Sequence, residues 1–473
     1  MHSGRERADN AAMGRATNLA GKEPGDAGAK SDRPGEPVPL PVAGRANQAR
    51  ARNPWFWIPS LYLAEGLPYV VVMTVSVVMY KRFGISNTDI ALYTSWLYLP
   101  WVVKPLWSPV VDILGRRRNW IWAMQLLIGA GLACVALALP GPHFFRWTLV
   151  FFWLLAFNSA THDIAADGFY ILATTEKQQA LFVGVRSMFY RLATIAGQGL
   201  LVVLAGMLET RTGNPRLAWS FVMGTLAGLC VLFGLWHQLV LPRAAADRPG
   251  EARRIPEFTR AFLATFGSFF RRPRMAVIVL FLLLYRFGEA QLVKMVAPFL
   301  LDATDKGGLA LTTAQFGAVY GTVGIAALTV GGIVGGWMIA RNGLRAWLWP
   351  MLFAIHLPDA AFIYLAYAQP ANLALIQLCI VVEQFGYGFG FTAYLMYMIY
   401  LARGQHQTAH YAICTGFMAL GMMIPGMWSG WLQDRIGYPH FFLWVIVATI
   451  PSFLVALWIP LDREFGRKQA AAA

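Results

Sequence analysis

Asp163 and Asp167 stand four residues apart, with His162 beside the first, in Asn158-Ser-Ala-Thr-His-Asp-Ile-Ala-Ala-Asp-Gly-Phe-Tyr170. At that spacing both carboxylates lie on one helix face. Carboxylates and imidazole are groups that take up and release protons, and an unperturbed imidazole does so near neutral pH. The surrounding run, about 147–173, is apolar and long enough to cross a bilayer. An ionisable side chain at the centre of a membrane helix costs about 2.5–3.5 kcal/mol on insertion scales, so it faces a partner or a wet cavity. The stretch therefore points to an internal polar route used by protons or a polar cargo.

Other charges sit in apolar segments at comparable depth. Counted at about 1.5 Å per residue along two antiparallel helices, Arg186 falls level with Asp167 and Arg191 level with Asp163, which predicts two buried acid–arginine contacts. Glu65 and Lys104 also match in depth and could pair. Arg286, Glu289 and Lys294 lie in one later segment, His356 and Asp359 in another, and Glu383 in a third. Any one of these could be a structural pair. Their number and spread predict a large hydrated cavity, with Tyr62, Tyr69, Trp101, Tyr285 and Tyr387 available to stack on sugar rings.

The elements that position these groups follow from composition. The 473 residues are 57% hydrophobic and 13% charged, against about 25% charged in a soluble domain. A polytopic helical membrane protein is the class that fits. The net charge of +15 suggests nucleic acid, but the basic residues concentrate in the tail and between apolar runs, where membrane topology explains them. Cys134, Cys230, Cys379 and Cys414 each lie in an apolar segment without metal-ligand spacing, so neither a disulfide framework nor a metal centre is expected. No cofactor motif appears. A membrane-embedded transferase using His162 and Asp163 is a competing class, but no Gly-x-Ser-x-Gly, His-Glu-x-x-His or phosphate-loop motif accompanies them.

Residues 1–54 read as a disordered basic tail, with no apolar core of a signal peptide. Hydropathy then predicts twelve transmembrane helices, at about 55–80, 88–112, 119–139, 146–173, 180–207, 217–241, 275–301, 312–339, 345–367, 372–402, 409–433 and 440–460. They form two six-helix bundles, 55–241 and 275–460, joined by a linker, 242–274, and followed by a tail, 461–473. The arginine-rich linker, the loop with Arg116, Arg117 and Arg118, and the first tail fall on one side. The positive-inside rule makes that side cytoplasmic, with both termini on it. In the linker, Phe258, Phe262, Phe266 and Phe269 recur at helical spacing. They predict either an amphipathic helix on membrane lipid or one packed on the protein.

Two short motifs recur across the halves. Ser108-Pro-Val-Val-Asp112-Ile-Leu-Gly115-Arg116-Arg-Arg matches Gly336-Trp-Met-Ile-Ala340-Arg341-Asn-Gly343-Leu-Arg345 after the second helix of each half. Gly206-Met-Leu-Glu209-Thr-Arg211 matches Gly430-Trp-Leu-Gln-Asp434-Arg435 at the end of each fifth helix. The first pair resembles the signature of the major facilitator superfamily, Gly-x-x-x-Asp-Arg-x-Gly-Arg-Arg-Arg, with Ser108 and Ile113 as departures. It predicts a cytoplasmic gate in which Asp112, Gly115, Arg116, Arg117 and Arg118 latch the halves.

Several stretches together resemble the AmpG-like muropeptide permeases of that superfamily, across about 55–460. They are Glu65-Gly-Leu-Pro68, Lys104-Pro-Leu-Trp-Ser-Pro-Val-Val-Asp112, Ser159-Ala-Thr-His-Asp163-Ile-Ala-Ala-Asp167, Tyr190-Arg191, Leu284-Tyr-Arg-Phe-Gly-Glu-Ala290, and Glu383 before a glycine run. His162 stands where the family carries glutamine, Gly168-Phe169 where it carries Ala-Trp, and Lys294 is an addition. The resemblance implies proton-driven uptake of GlcNAc-anhydroMurNAc peptides across the bacterial inner membrane, by a monomer binding a small glycopeptide and protons. Another amino-sugar oligosaccharide, acetyl-CoA or a siderophore is the alternative cargo. Asp163 is the expected proton carrier, with Glu289 or Glu383 as alternatives. Arg191, Arg286 and Lys104 are expected to balance charge or hold a substrate carboxylate.

Overall fold

Lipid offers no hydrogen-bond partners to a bare backbone, so apolar runs of bilayer length close their own bonds as helices. A computed structural model of the chain describes residues 53–245, 247–248, 263–264, 266–404, 407–462 and 465–466. Most of both tails and much of the linker, including Phe258 and Phe262, lie outside the described residues.

Ten helices among the described residues are long and apolar enough to cross a membrane. They supply α1 (Pro54–Arg82), α3 (Arg117–Ala138), α4 (Phe144–Ala173), α5 (Lys177–Thr212), α6 (Pro215–Val240), α7 (Met275–Leu301), α8 (Thr313–Asn342), α9 (Leu344–Ala368) and α10 (Leu373–Ala402). The tenth, Ala409–Ala456, turns at Gly437, whose φ of 74° suits glycine, and Pro439 follows; it holds both α11 (409–436) and α12 (438–456). The remaining helix, α2, is broken into Asn87–Trp96 and Leu99–Ile113. Pro100 in the first turn of the second piece lacks an N–H and disfavours helix before it. The expected twelve helices are thus present, with ends shifted by a few residues. Large apolar side chains such as Leu137, Leu232, Ile333 and Trp458 stand on the outside, as a lipid-facing surface requires.

Further interruptions fall inside the spans. The helix of α7 breaks between Leu284 and Phe287, placing Arg286 in the gap. The helix of α9 tightens to a 3-10 turn at Leu357–Asp359, where Pro358 sits. Short π-helical stretches occupy Val71–Val75, Ile195–Leu201 and Gly317–Gly324. Broken helices are tolerated at this depth where they are enclosed by protein or border a cavity.

The glycine runs of α8 and α10 bring these backbones into contact. A Cβ on Gly388 would lie 1.9 Å from the Leu328 carbonyl oxygen, and one on Gly331 would lie 2.2 Å from that of Phe385. In the linker, Phe269 is fully buried and its ring lies 5.5 Å from that of His410. This part of the linker packs on the protein.

The two halves meet most closely on the face away from the basic loops. There Lys81 pairs with Asp302 at 2.7 Å, and Tyr438 donates to Asp302 at 2.6 Å. Asn87 donates to Gln433 at 2.6 Å, while the Thr88 hydroxyl and backbone N–H both donate to Asp434. Across the other seam Glu209 accepts from Thr313 at 2.6 Å and also holds Arg82 and Trp219. A Cβ on Gly430 would sit 2.0 Å from the Asn87 carbonyl oxygen, and one on Gly206 2.3 Å from the Ala314 nitrogen. Both copies of the second repeated motif therefore grip the start of a helix in the opposite half.

Candidate functional site: a charged cavity between the halves

A cavity of about 990 Å³ lies between the halves. Toward the basic-loop face it is lined by Ser108, Arg117, Gly168 and Tyr411, and the seams just described close its far end. Four helices of the first half converge on its wall. The start of the second piece of α2 carries Trp101 and Lys104 on one face, three residues apart, and both reach Asp163 of α4. Trp101 Nε1 donates to Asp163 Oδ2 at 3.0 Å, and Lys104 Nζ lies 3.5 Å from the same oxygen. Asp163 Oδ1 is buried without a hydrogen bond, as is Oε2 of the neighbouring Glu65 on α1. One turn further along α4, Asp167 pairs with Arg186 of α5 and accepts from the Tyr62 hydroxyl at 3.3 Å. The Arg186 guanidinium stacks on Tyr62 and Tyr170, with centroid distances of 4.4 and 4.9 Å.

Of the two predicted acid–arginine contacts, only Asp167–Arg186 is made. Arg191 lines the cavity but does not pair with Asp163. Five helical residues turn about 140°, whereas the four between the aspartates turn about 40°, so Arg186 and Arg191 cannot both face α4. Lys104 takes the place expected of Arg191. That also leaves Glu65 without the lysine it was expected to meet.

His162 does not line the cavity. Gln125 of α3 donates from Nε2 to His162 Nε2 at 2.9 Å and accepts at Oε1 from His237 Nδ1 at 2.8 Å; the Ser60 hydroxyl lies 2.9 Å from His237 Nε2. This chain ties α1, α3, α4 and α6 together behind the wall. Replacing Gln125 with leucine leaves two buried imidazoles short of a partner. We expect a loss of about 1–3 kcal/mol for each, read as a lower thermal unfolding midpoint in detergent. Sequence reasoning missed Gln125 and His237, although both are polar residues inside apolar spans.

One ligand atom each of Glu65, His162 and Asp163 lies within 4.8 Å of the others. Lys104 sits in the same group at 3.5 Å, and its positive charge opposes a metal cation there.

In the second half, Arg286 projects from the break in α7. It forms a two-pronged pair with Glu289, 2.7 Å from Nε to Oε2 and 3.2 Å from Nη2 to Oε1, and hydrogen-bonds the Tyr387 hydroxyl. Arg286 and Tyr387 line the cavity, while Glu289 is fully buried behind them. Glu383 is buried off the cavity with Gln384 donating to it at 3.0 Å, and Asp359 is buried with both oxygens lacking a hydrogen bond. Lys294 lines the cavity and donates to Thr94 of the first half at 3.0 Å.

The basic-loop motif does not join the halves through its described contacts. Gly115, at φ 145°, turns the chain into α3, and Arg116 flanks the helix start. The Arg117 and Arg118 backbone N–H groups donate to Asp247 of the linker at 2.8 and 3.1 Å, an anion at a helix N-terminus. Arg118 Nε also donates to the Leu241 carbonyl at 3.1 Å. These contacts fasten the loop to the end of α6 in its own half. The side chain of Asp112 lies outside the described residues. The seams at Asp302, Asp434 and Glu209 join the halves at the opposite face, and the cavity separates the halves here. A Cβ on Gly168 would lie 2.5 Å from Arg117 Nε, so the glycine gives that arginine its path into the cavity.

The Major Facilitator Superfamily model matches residues 60–424. The anhydromuropeptide permease of Escherichia coli (strain K12) is 25% identical over 417 residues, covering 86% of this chain and 80% of that protein. Among solved structures, the nucleoside transporter NupG superposes with a TM-score of 0.61 at 15% identity, covering 86% of this chain and 98% of that one. The inward open conformation of the xylose transporter XylE from E. coli gives 0.60 at 14%, covering 86% and 96%. Those two likenesses show the fold. A match over most of the length, with twelve helices around a cavity shared by two halves, makes this chain a member of the Major Facilitator Superfamily, a multi-pass secondary transporter of small molecules and not an enzyme.

Proposed function

We propose that the protein is a proton-coupled symporter carrying muropeptides of the GlcNAc-anhydroMurNAc type into the bacterial cytoplasm across the inner membrane. The single observation that carries the coupling is Asp163, in the cavity wall with Lys104 at 3.5 Å and one oxygen unbonded. A proton on that carboxyl removes the charge that holds Lys104, freeing the ammonium to donate to the cargo. Loss of the proton restores the pair and lets the cargo leave. The 25% identity to a permease named for anhydromuropeptides supports the cargo. Arginine-rich segments on the face toward which the cavity runs support a cytoplasmic position for that face and for both termini. One chain supplies both halves of the cavity, which supports action as a monomer.

The test is uptake of labelled GlcNAc-anhydroMurNAc into energised membrane vesicles containing the protein, with and without an uncoupler. Accumulation that collapses with the uncoupler is the expected result. Absence of uptake by folded protein rejects the cargo; accumulation indifferent to the uncoupler rejects the coupling.

A further inference from the structure

The cations of the cavity wall are not equally compensated. Lys104 faces Asp163, Arg186 faces Asp167, and Arg286 faces Glu289. Lys294 and Arg191 also line the cavity, and neither meets a carboxylate among the described residues. Lys294 is 5% exposed. Its ammonium has three donors and spends one on Thr94, whose own hydroxyl donates to the Ile90 carbonyl at 2.6 Å. Its other recorded polar contact is the face of Tyr98, 5.5 Å away. A desolvated cation so poorly provided is costly unless an anion arrives. Lys294 belongs to α7 in the second half and Arg191 to α5 in the first.

We infer that Lys294 and Arg191 are a recognition pair for the acidic group of the cargo, one cation from each half, and that they set selectivity for carboxylate-bearing over neutral sugars. The inference rests on the transport reading above and adds to it the residues that read charge. A carboxylate held between them joins the two halves through one shared anion. A neutral analogue of equal size fills the same space but leaves both cations unanswered.

The test compares GlcNAc-anhydroMurNAc, whose lactyl group ends in a carboxylate, with its primary amide, using purified protein in proteoliposomes. The wild type should favour the acid by roughly 10–100-fold in kcat/KM. Lys294→Gln should bring the ratio to within about threefold, mainly through KM for the acid, while Lys294→Arg keeps the preference. Arg191→Gln gives a second reading should the lysine variant fail to fold. An unchanged ratio in folded Lys294→Gln protein, or equal uptake of acid and amide by the wild type, overturns the inference. If the wild type transports neither compound, the muropeptide reading fails by itself. Charge selectivity is then decided by thermal shift with N-acetylmuramate against N-acetylglucosamine and glucuronate against glucose. Stabilisation by the acids that vanishes in Lys294→Gln sustains the inference, and no difference within either pair rejects it.

Discussion

Uphill uptake by an Asp163→Asn protein should fall on the order of 100-fold, a loss of about 2.7 kcal/mol in driving the loaded step. Downhill exchange of labelled for unlabelled cargo should survive. Asparagine keeps a carbonyl oxygen for the Trp101 indole, so local packing is retained. It cannot cycle between charged and neutral forms, and Lys104 loses its counter-charge in every step of the cycle. The discriminating measurement is counterflow beside gradient-driven accumulation, at equal protein level. Accumulation at the wild-type rate would remove Asp163 from the coupling step. Loss of counterflow as well would mark it as a binding or folding residue.

A second large effect is expected at the far seam. Asp302 joins Lys81 at 2.7 Å and Tyr438 at 2.6 Å, with both members of the ion pair mostly buried. Truncating one partner of such a pair strands the other, at about 3–5 kcal/mol. That penalty falls on the state in which the seam is closed, so Asp302→Ala should shift the conformational balance by roughly two to four decades toward an open far face. Spin labels at Arg211→Cys and Asp305→Cys, both exposed on that face and in opposite halves, report the change. The four native cysteines are first replaced. A longer label separation in Asp302→Ala is the expected outcome. An unaltered distance distribution would mean that the backbone contacts at Gly206 and Gly430 hold the seam without the ion pair.

The helices were legible because membrane insertion acts on composition over some twenty residues, a property of the sequence alone. Pro100 and Pro358 stand at the breaks in α2 and α9, inside the runs 88–112 and 345–367 that hydropathy alone reads as unbroken. The break at Arg286 was not legible, since Met275–Leu301 has the length and mean hydropathy of one unbroken span and contains no proline before Pro298. In the site, Asp167–Arg186 could be found by depth within one hairpin. Asp163–Lys104 could not, because depth ignores the rotation of each helix about its axis. His162 illustrates the same limit: adjacency to Asp163 in the chain places it about 100° away around the helix, toward Gln125 and not the cavity. The second repeated motif was visible as a repeat. Its role depends on contacts with the other half, which no pattern within one segment encodes.

Where the π-helical stretches of α5 and α8 cross, a Cβ on Gly321 would lie 2.0 Å from the Gln198 carbonyl oxygen, and one on Gly199 would lie 2.4 Å from Thr322 Oγ1. The crossing is made by main chain and hydrogen atoms, with almost no side-chain bulk between the helices. The long side chains that line the cavity, such as Lys104, Arg191 and Lys294, come from positions away from this crossing. A lineage can therefore trade one cargo for another by exchanging lining residues and leave the fulcrum untouched. A protein engineer recoding the lining should treat these two glycines as fixed, because even a single methyl group there changes the lever and not the lock.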